Sequence, residues 1–351
     1  MMTSAVKSIA VLGILCVVLE GGLFAADWPQ WRGPNRDGVS KETSLLKQWP
    51  QGGPKLLWKI SGLGPGYSSV SIKDGKLYTM GDRQVDNENA QYVYAYDLGT
   101  QRELWATKMG AAHDDGPRCT PTVDGGFVYA IGTSGNVVCI AADGGKVVWI
   151  KNLLSDLGGA ENPGWKFSES PLIDGDRLLC TPGGRKAVLA ALDKKTGKTL
   201  WTCSMPDIGE NGKDEAGYSS IGISHAAGVK QYVQLTNKGV VGVSDDGKFL
   251  WGYNRVANGV ANISMPALDG DYVFASTAYG TGAALLKLSR DGSGVKAEEV
   301  YWLDDKKFQS HHGGFVKVGD YIYGGHGHNR GNPTCVEMKT GKIVWTANEP
   351  G

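Results

Sequence analysis

One phrase recurs along the chain and ends each time in tryptophan. It reads GPKLLW (53–58), YAYDLGTQRELW (94–105), CIAADGGKVVW (139–149), AALDKKTGKTLW (190–201), GVSDDGKFLW (242–251) and CVEMKTGKIVW (335–345), with a looser copy in AEEVYW (297–302). The tryptophans stand 43 to 52 residues apart, and in four copies a glycine (Gly145, Gly197, Gly247, Gly341) precedes the tryptophan by four. A period of this size marks a repeat architecture. A second phrase follows each tryptophan: SSVSIKDGKLYTMG (68–81), CTPTVDGGFVYAIG (119–132), ESPLIDGDRLLCTPGG (169–184), a stretched ISHAAGVKQYVQL (223–235), SMPALDGDYVFAST (264–277) and HGGFVKVGDYIYGG (312–325).

One unit can be read physically. In SPLIDGDRLLC two apolar runs flank Asp-Gly, a tight hairpin turn. In VLAALDKKTGKTLW two more flank Lys-Thr-Gly-Lys, whose glycine is free to take positive φ. Each unit therefore holds four antiparallel strands, A to D, and the period predicts an all-β propeller of four-stranded blades. The repeating Trp105, Trp149, Trp201, Trp251, Trp302 and Trp345 read as wedges between blades, a structural role. Six complete blades lie between residue 62 and residue 345. KLLWKI (55–60) is an orphan D strand expected to close the ring against strands A to C of a last blade. Those strands are not in the sequence, so the propeller (55–351) is expected to be truncated at its C-terminus, the intact ring having seven or eight blades.

Before the propeller, a single charge at Lys7, the apolar run IAVLGILCVVL (9–19) and FAAD (24–27) predict a secretory signal peptide over residues 1–26. Residues 27–54 read as an N-terminal extension. The location implied is secreted or periplasmic, with no transmembrane segment left after cleavage. The GIL before Cys16 is a poor lipidation site. The other five cysteines form neither a disulfide framework nor a zinc signature. With 36 basic and 36 acidic residues the formal net charge is zero, which offers no footprint for nucleic acid.

The phrase from Ala191 to Trp201 resembles the tryptophan-docking repeat of quinoprotein dehydrogenases, and related repeats occur in BamB-type outer-membrane assembly propellers. DWPQWRGPNRDGVS (27–40), SESPLIDGD and TPGG are similar to secreted bacterial PQQ-like repeat proteins. The resemblance covers nearly all of the mature chain and implies the fold more than an activity. Quinoprotein alcohol dehydrogenases carry two adjacent cysteines over the cofactor; no Cys-Cys occurs here. Their calcium ligands and catalytic aspartate do not map onto this sequence.

In such a ring the start of strand A and the end of strand B share one face. The strand A starts are GYSS (66–69), GPRC (116–119), GWKFSES (164–170), a second GYSS (217–220), ANIS (261–264) and SHHGG (310–314). They nominate Tyr67, Ser68, Ser69, Arg118, Trp165, Lys166, Glu169, Tyr218, Asn262, His311 and His312 as ligand-binding residues around the channel mouth. Four of the six histidines fall at 311–328. Counting out from the A–B turn at Val318-Gly319-Asp320 pairs His311 with His328, and puts His312 by Gly327 and His326 by Gly313. His311, His312, His326 and His328 are thus candidate zinc or copper ligands, set against a polar rim of mutually bonded imidazoles. No nucleophile elbow supports a Ser/His/Asp triad. Asp114-Asp115 and Asp304-Asp305 read as solvated turn charges, and Asp86, Asn87, Glu88 and Asn89 lack calcium-loop spacing. The leading expectation is a secreted binding or assembly module with a protein, peptide or polymer ligand at the mouth. Two alternatives are a dehydrogenase of alcohols or sugars using PQQ with calcium, and a metal-dependent propeller hydrolase or lyase.

Overall fold

The structure is a computed structural model that describes residues 26–349; the expected signal peptide lies almost wholly outside them. The described residues form six four-stranded antiparallel sheets, each a simple meander. The first holds β1 (Ser71–Lys73), β2 (Lys76–Val85), β3 (Glu88–Asp97) and β4 (Glu103–Ala111). The second holds β5 (Thr122–Asp124), β6 (Phe127–Ile131), β7 (Asn136–Ala141) and β8 (Val147–Asn152). The third holds β9 (Leu172–Asp174), β10 (Arg177–Cys180), β11 (Leu189–Asp193) and β12 (Thr199–Cys203). The fourth holds β13 (Gly222–Ser224), β14 (Gln231–Thr236), β15 (Gly239–Ser244) and β16 (Phe249–Tyr253). The fifth holds β17 (Ala267–Asp269), β18 (Tyr272–Thr277), β19 (Gly282–Asp291) and β20 (Gly294–Asp304). The sixth holds β21 (Phe315–Val318), β22 (Tyr321–His326), β23 (Asn332–Glu337) and β24 (Ile343–Thr346). The short first strands sit side by side, β1 by β5, β5 by β9 and β17 by β21, so they are innermost. This is a β-propeller.

The core lies between sheets rather than within one. One apolar cluster joins Trp105, Tyr129 and Leu178 of the first three sheets. Others join Leu189 to Tyr232, Val233 to Val273, and Phe274 to Phe315. The tryptophan repeat works through a β-bulge. In every sheet the register of the outer pair slips by one residue next to the repeating aromatic, as at Ala95/Tyr96 opposite Trp105 and Cys139/Ile140 opposite Trp149. The bulge turns the aromatic toward the next sheet, where the turn glycine receives it. A Cβ on Gly145 would lie 2.7 Å from the Trp105 ring, and one on Gly197 2.8 Å from Trp149. The indole N–H groups of Trp105 and Trp149 donate to Ala142 O and Lys194 O, each at 3.0 Å.

Four expectations need correction. In the fifth sheet it is Tyr301, not Trp302, that stands at the bulge opposite Leu285. Tyr301 lies over Gly341 and donates to Met338 O at 2.7 Å, whereas Trp302 carries Arg255 on its ring face at 4.3 Å. Trp251 faces a long hairpin whose turn glycine, Gly292, has nothing within 4 Å of its Cβ position, and its N–H donates within its own sheet to Gln231. Trp345 is 47% exposed, because no described sheet covers that side of the sixth. Lastly, KLLWKI (55–60) pairs with no strand among the described residues, and Leu56 and Leu57 are exposed.

The N-terminal stretch 27–40 lies inside the ring. Trp28 and Ile72 exchange two backbone hydrogen bonds at 2.8 Å, and Val123 N donates to Pro29 O at 2.8 Å. Arg32 donates to Phe315 O, and the buried Arg36 donates to Ser170 O and Pro171 O. One short segment thereby touches the first, second, third and sixth sheets.

Candidate functional site

A concave cavity of about 450 Å³ opens at the end of the ring where the innermost strands begin. That is ordinary for a small-ligand site. Its floor is Trp31 and Arg32 from the N-terminal segment. Its wall takes residues from the entry loop of each blade: Tyr67, Arg118, Trp165, Tyr218, Ser264 and His312. Tyr279, from the turn between β18 and β19, adds another aromatic surface.

The polar groups are few and mostly paired. Arg118 donates to Asp115 at 2.8 Å and lies over the Tyr67 ring at 5.6 Å. Arg32 spends its guanidinium on the Asp37 and Phe315 carbonyls. Trp165 meets Tyr218 edge to face, with centroids 6.0 Å apart and planes at 76°. Ser168 Oγ is buried in the wall without a hydrogen-bond partner. Tyr279 holds φ at 59°, a left-handed conformation unusual for a bulky residue, and such strain concentrates where geometry is functional.

Of the residues nominated from sequence, Tyr67, Arg118, Trp165, Tyr218 and His312 gather around this cavity. The other six lie elsewhere. Ser68 accepts from Met80 N, and Ser69 O accepts from Thr79. Lys166 reaches toward Glu161 at 3.8 Å. Asn262 is buried and donates to Asn237 and to Asn258 O. Glu169 is buried against Thr181, which donates to it from N and Oγ1. Burial raises its carboxyl to about 8. His311 stands behind the wall on Tyr279 OH at 3.0 Å.

Other serines near the strand starts stitch blades together. Ser170 Oγ accepts from Thr120 N, Ser220 Oγ accepts from Ser170 N, and Ser276 Oγ accepts from Ser310 N. Sequence reasoning missed Tyr279, Trp31 and Arg32, and it took Asp115 for a free loop charge. The signal for Tyr279 was its place in a glycine-flanked turn, AYGTG (278–282).

The four histidines do not all meet at one point. His311 stacks on His328 at 4.3 Å and meets His312 at 3.9 Å, so these rings pack face and edge instead of converging their nitrogens. His326 turns the other way, against Phe308, with its Nδ1 accepting from Gln309 N. No group of three His, Cys, Asp or Glu among the described residues has metal-holding geometry. Burial, then the neighbouring His312 and His328, pushes His311 down to about 4. Burial also lowers His312, helped by His328 and Arg118. His311 is therefore neutral at neutral pH, and His312 is pushed the same way. Asp86 and Asn87 form the left-handed tip of the β2–β3 hairpin, where Glu88 pairs with Lys108.

Residues 89–347 match the family profile described as outer membrane protein assembly factor BamB. A curated relative, the outer membrane protein assembly factor BamB of Shewanella oneidensis, is 22% identical over 300 residues, spanning 81% of this chain and 68% of its own. The crystal structure of BamB from Moraxella catarrhalis superposes with a TM-score of 0.55 at 14% identity, over 84% of this chain and 80% of that one. The quinohemoprotein alcohol dehydrogenase of Comamonas testosteroni gives a TM-score of 0.45 at 12% identity, over 92% of this chain and 73% of that one. On the extent of the profile match, the chain belongs to the BamB family of PQQ-like repeat β-propellers.

Proposed function

We propose that this chain is a binding module of the secreted or periplasmic space whose ligand, a protein, peptide or polymer, seats at the channel mouth. The observation that carries the reading is the aromatic cavity built from all six blades and floored by the N-terminal segment. Relatives described as assembly factors favour binding over turnover. The cavity has no hydrogen-bonded nucleophile and base, and its one carboxylate with a charged partner, Asp115, is tied to Arg118. No helix among the described residues is long and apolar enough to cross a membrane.

The test is a photo-crosslinking amino acid at position 67, on the exposed rim, compared with one at position 148 on the outer edge. In the native host the rim probe gives a discrete adduct that the edge probe does not. Equal labelling at both positions, or none, sinks the reading. Addition of PQQ and Ca²⁺ to the purified chain separates the quinoprotein alternative. Dye-linked oxidation of an alcohol or sugar would replace the binding module by an enzyme.

A further inference from the structure

We infer that the mouth cavity binds a neutral pyranose ring, presented as a unit of an oligosaccharide or polysaccharide chain. The inference rests on the binding reading above and names the ligand class. Three features of the cavity select that chemistry.

The first is the shape of the aromatic surface. Trp165 and Tyr67 remain 38% and 73% exposed on the rim of a concavity. Large aromatic faces at a wet edge are suited to ligands that are apolar on one side and polar on the other. A pyranose has that character: its axial C–H groups lie against a ring face and its hydroxyls point outward. Trp165 and Tyr218 stand at 76° to each other, so they offer a face and an edge, not the parallel walls that would clamp a flat cofactor.

The second is charge. The Arg118–Asp115 pair is neutral as a unit, His312 is held in its neutral form, and Arg32 is committed to two carbonyls. A phosphate or a polycarboxylate would have to compete with Asp115 for Arg118 and with two backbone carbonyls for Arg32 Nη2. A side-by-side donor and acceptor, by contrast, match the adjacent hydroxyls of a sugar. One hydroxyl accepts from Arg118 while its neighbour donates to Asp115, and such bonds to charged groups are stronger than neutral ones.

The third is the unpaired Ser168 Oγ in the wall. A buried hydroxyl without a partner calls for one, and a ligand hydroxyl supplies both donor and acceptor.

The experiment titrates the full chain with maltotriose, cellotriose and triacetylchitotriose, read by tryptophan fluorescence and calorimetry. At least one should bind saturably and shift the emission. Trp165→Ala and Asp115→Asn should each weaken that binding about tenfold or more with an unchanged Tm. Val148→Ala, on the outer strand β8, serves as the neutral control. If no trisaccharide binds while the position-67 probe still captures a protein, the sugar assignment falls and the binding reading stands. If PQQ with Ca²⁺ binds and the sugars do not, the sugar assignment falls to the quinoprotein alternative. Sugar binding insensitive to both mouth variants also overturns the assignment. Silence from the sugars, from PQQ and from the crosslinker sinks this inference and the binding reading together.

Discussion

His311 shows what a residue's neighbours do to its chemistry. Its position beside His328 was legible from counting out of the Val318–Asp320 turn, because strand register fixes which residues face each other. Ring orientation was not legible, because it follows from packing against Tyr279, supplied by the fifth blade. Ser170 and Ser220 likewise serve partners one blade away, which strand register does not reveal. The stack makes a pH prediction. The folded state holds His311 near 4, below its ordinary 6.5, so the unfolded chain binds more protons between those values. The His311 contribution is complete above about 6.5 and is lost as pH falls toward 4. His311→Phe keeps a stacked ring without the proton. Its Tm should fall less than that of the parent between pH 7 and pH 4.5. An identical decline in both proteins would remove His311 from the linkage.

At the scale of the element, strand count and blade period were readable because each strand repeats a pattern that turn chemistry and alternation dictate. What failed was the assumption that the tryptophan letter marks the docking position. The bulge marks it, and a bulge has no fixed residue code. In five of the sheets the two coincide; in the fifth the bulge delivers Tyr301 to Gly341. KLLWKI (55–60) shows a related gap, since an apolar run becomes a strand only with a partner edge. The Tyr301 assignment has a direct test in chemical denaturation. Tyr301→Ala removes a ring packed between two blades and should cost about 2–4 kcal/mol. Trp302→Ala loses a cation–π contact with Arg255 and should cost about 1 kcal/mol or less. A larger loss at Trp302 would return the docking role to the tryptophan. Gly341→Val should resemble Tyr301→Ala, since its Cβ would lie 2.9 Å from the tyrosine ring.

For the whole molecule the decisive contact is between the N-terminal segment and the third blade, which no periodicity reveals because residues 27–40 lie outside the repeat. Arg36 is buried, bonded to Ser170 O and Pro171 O, and its charge favours ionisation of the nearby Glu169. Burial outweighs that help, drawing Arg36 down to about 10 and raising Glu169 to about 8. The ring thus carries a carboxyl that is protonated at neutral pH in the fold and ionised when unfolded. The sign is opposite to that of His311. A raised carboxyl contributes stability that is complete below about 4.5 and lost as pH rises through about 8. Glu169→Gln keeps an acceptor for Thr181 N and cannot ionise, so its stability should be flatter from pH 5 to 9 and should exceed the parent's at pH 9. Arg36→Gln removes the buried cation that favours Glu169 ionisation, so it should steepen the alkaline loss and lower stability by about 2–4 kcal/mol through the orphaned carbonyls. The double variant should restore the flat profile while keeping the lower stability. Equal slopes in parent and Arg36→Gln would show that the N-terminal segment does not reach the third blade in solution, and would remove Trp31 and Arg32 from the floor of the mouth.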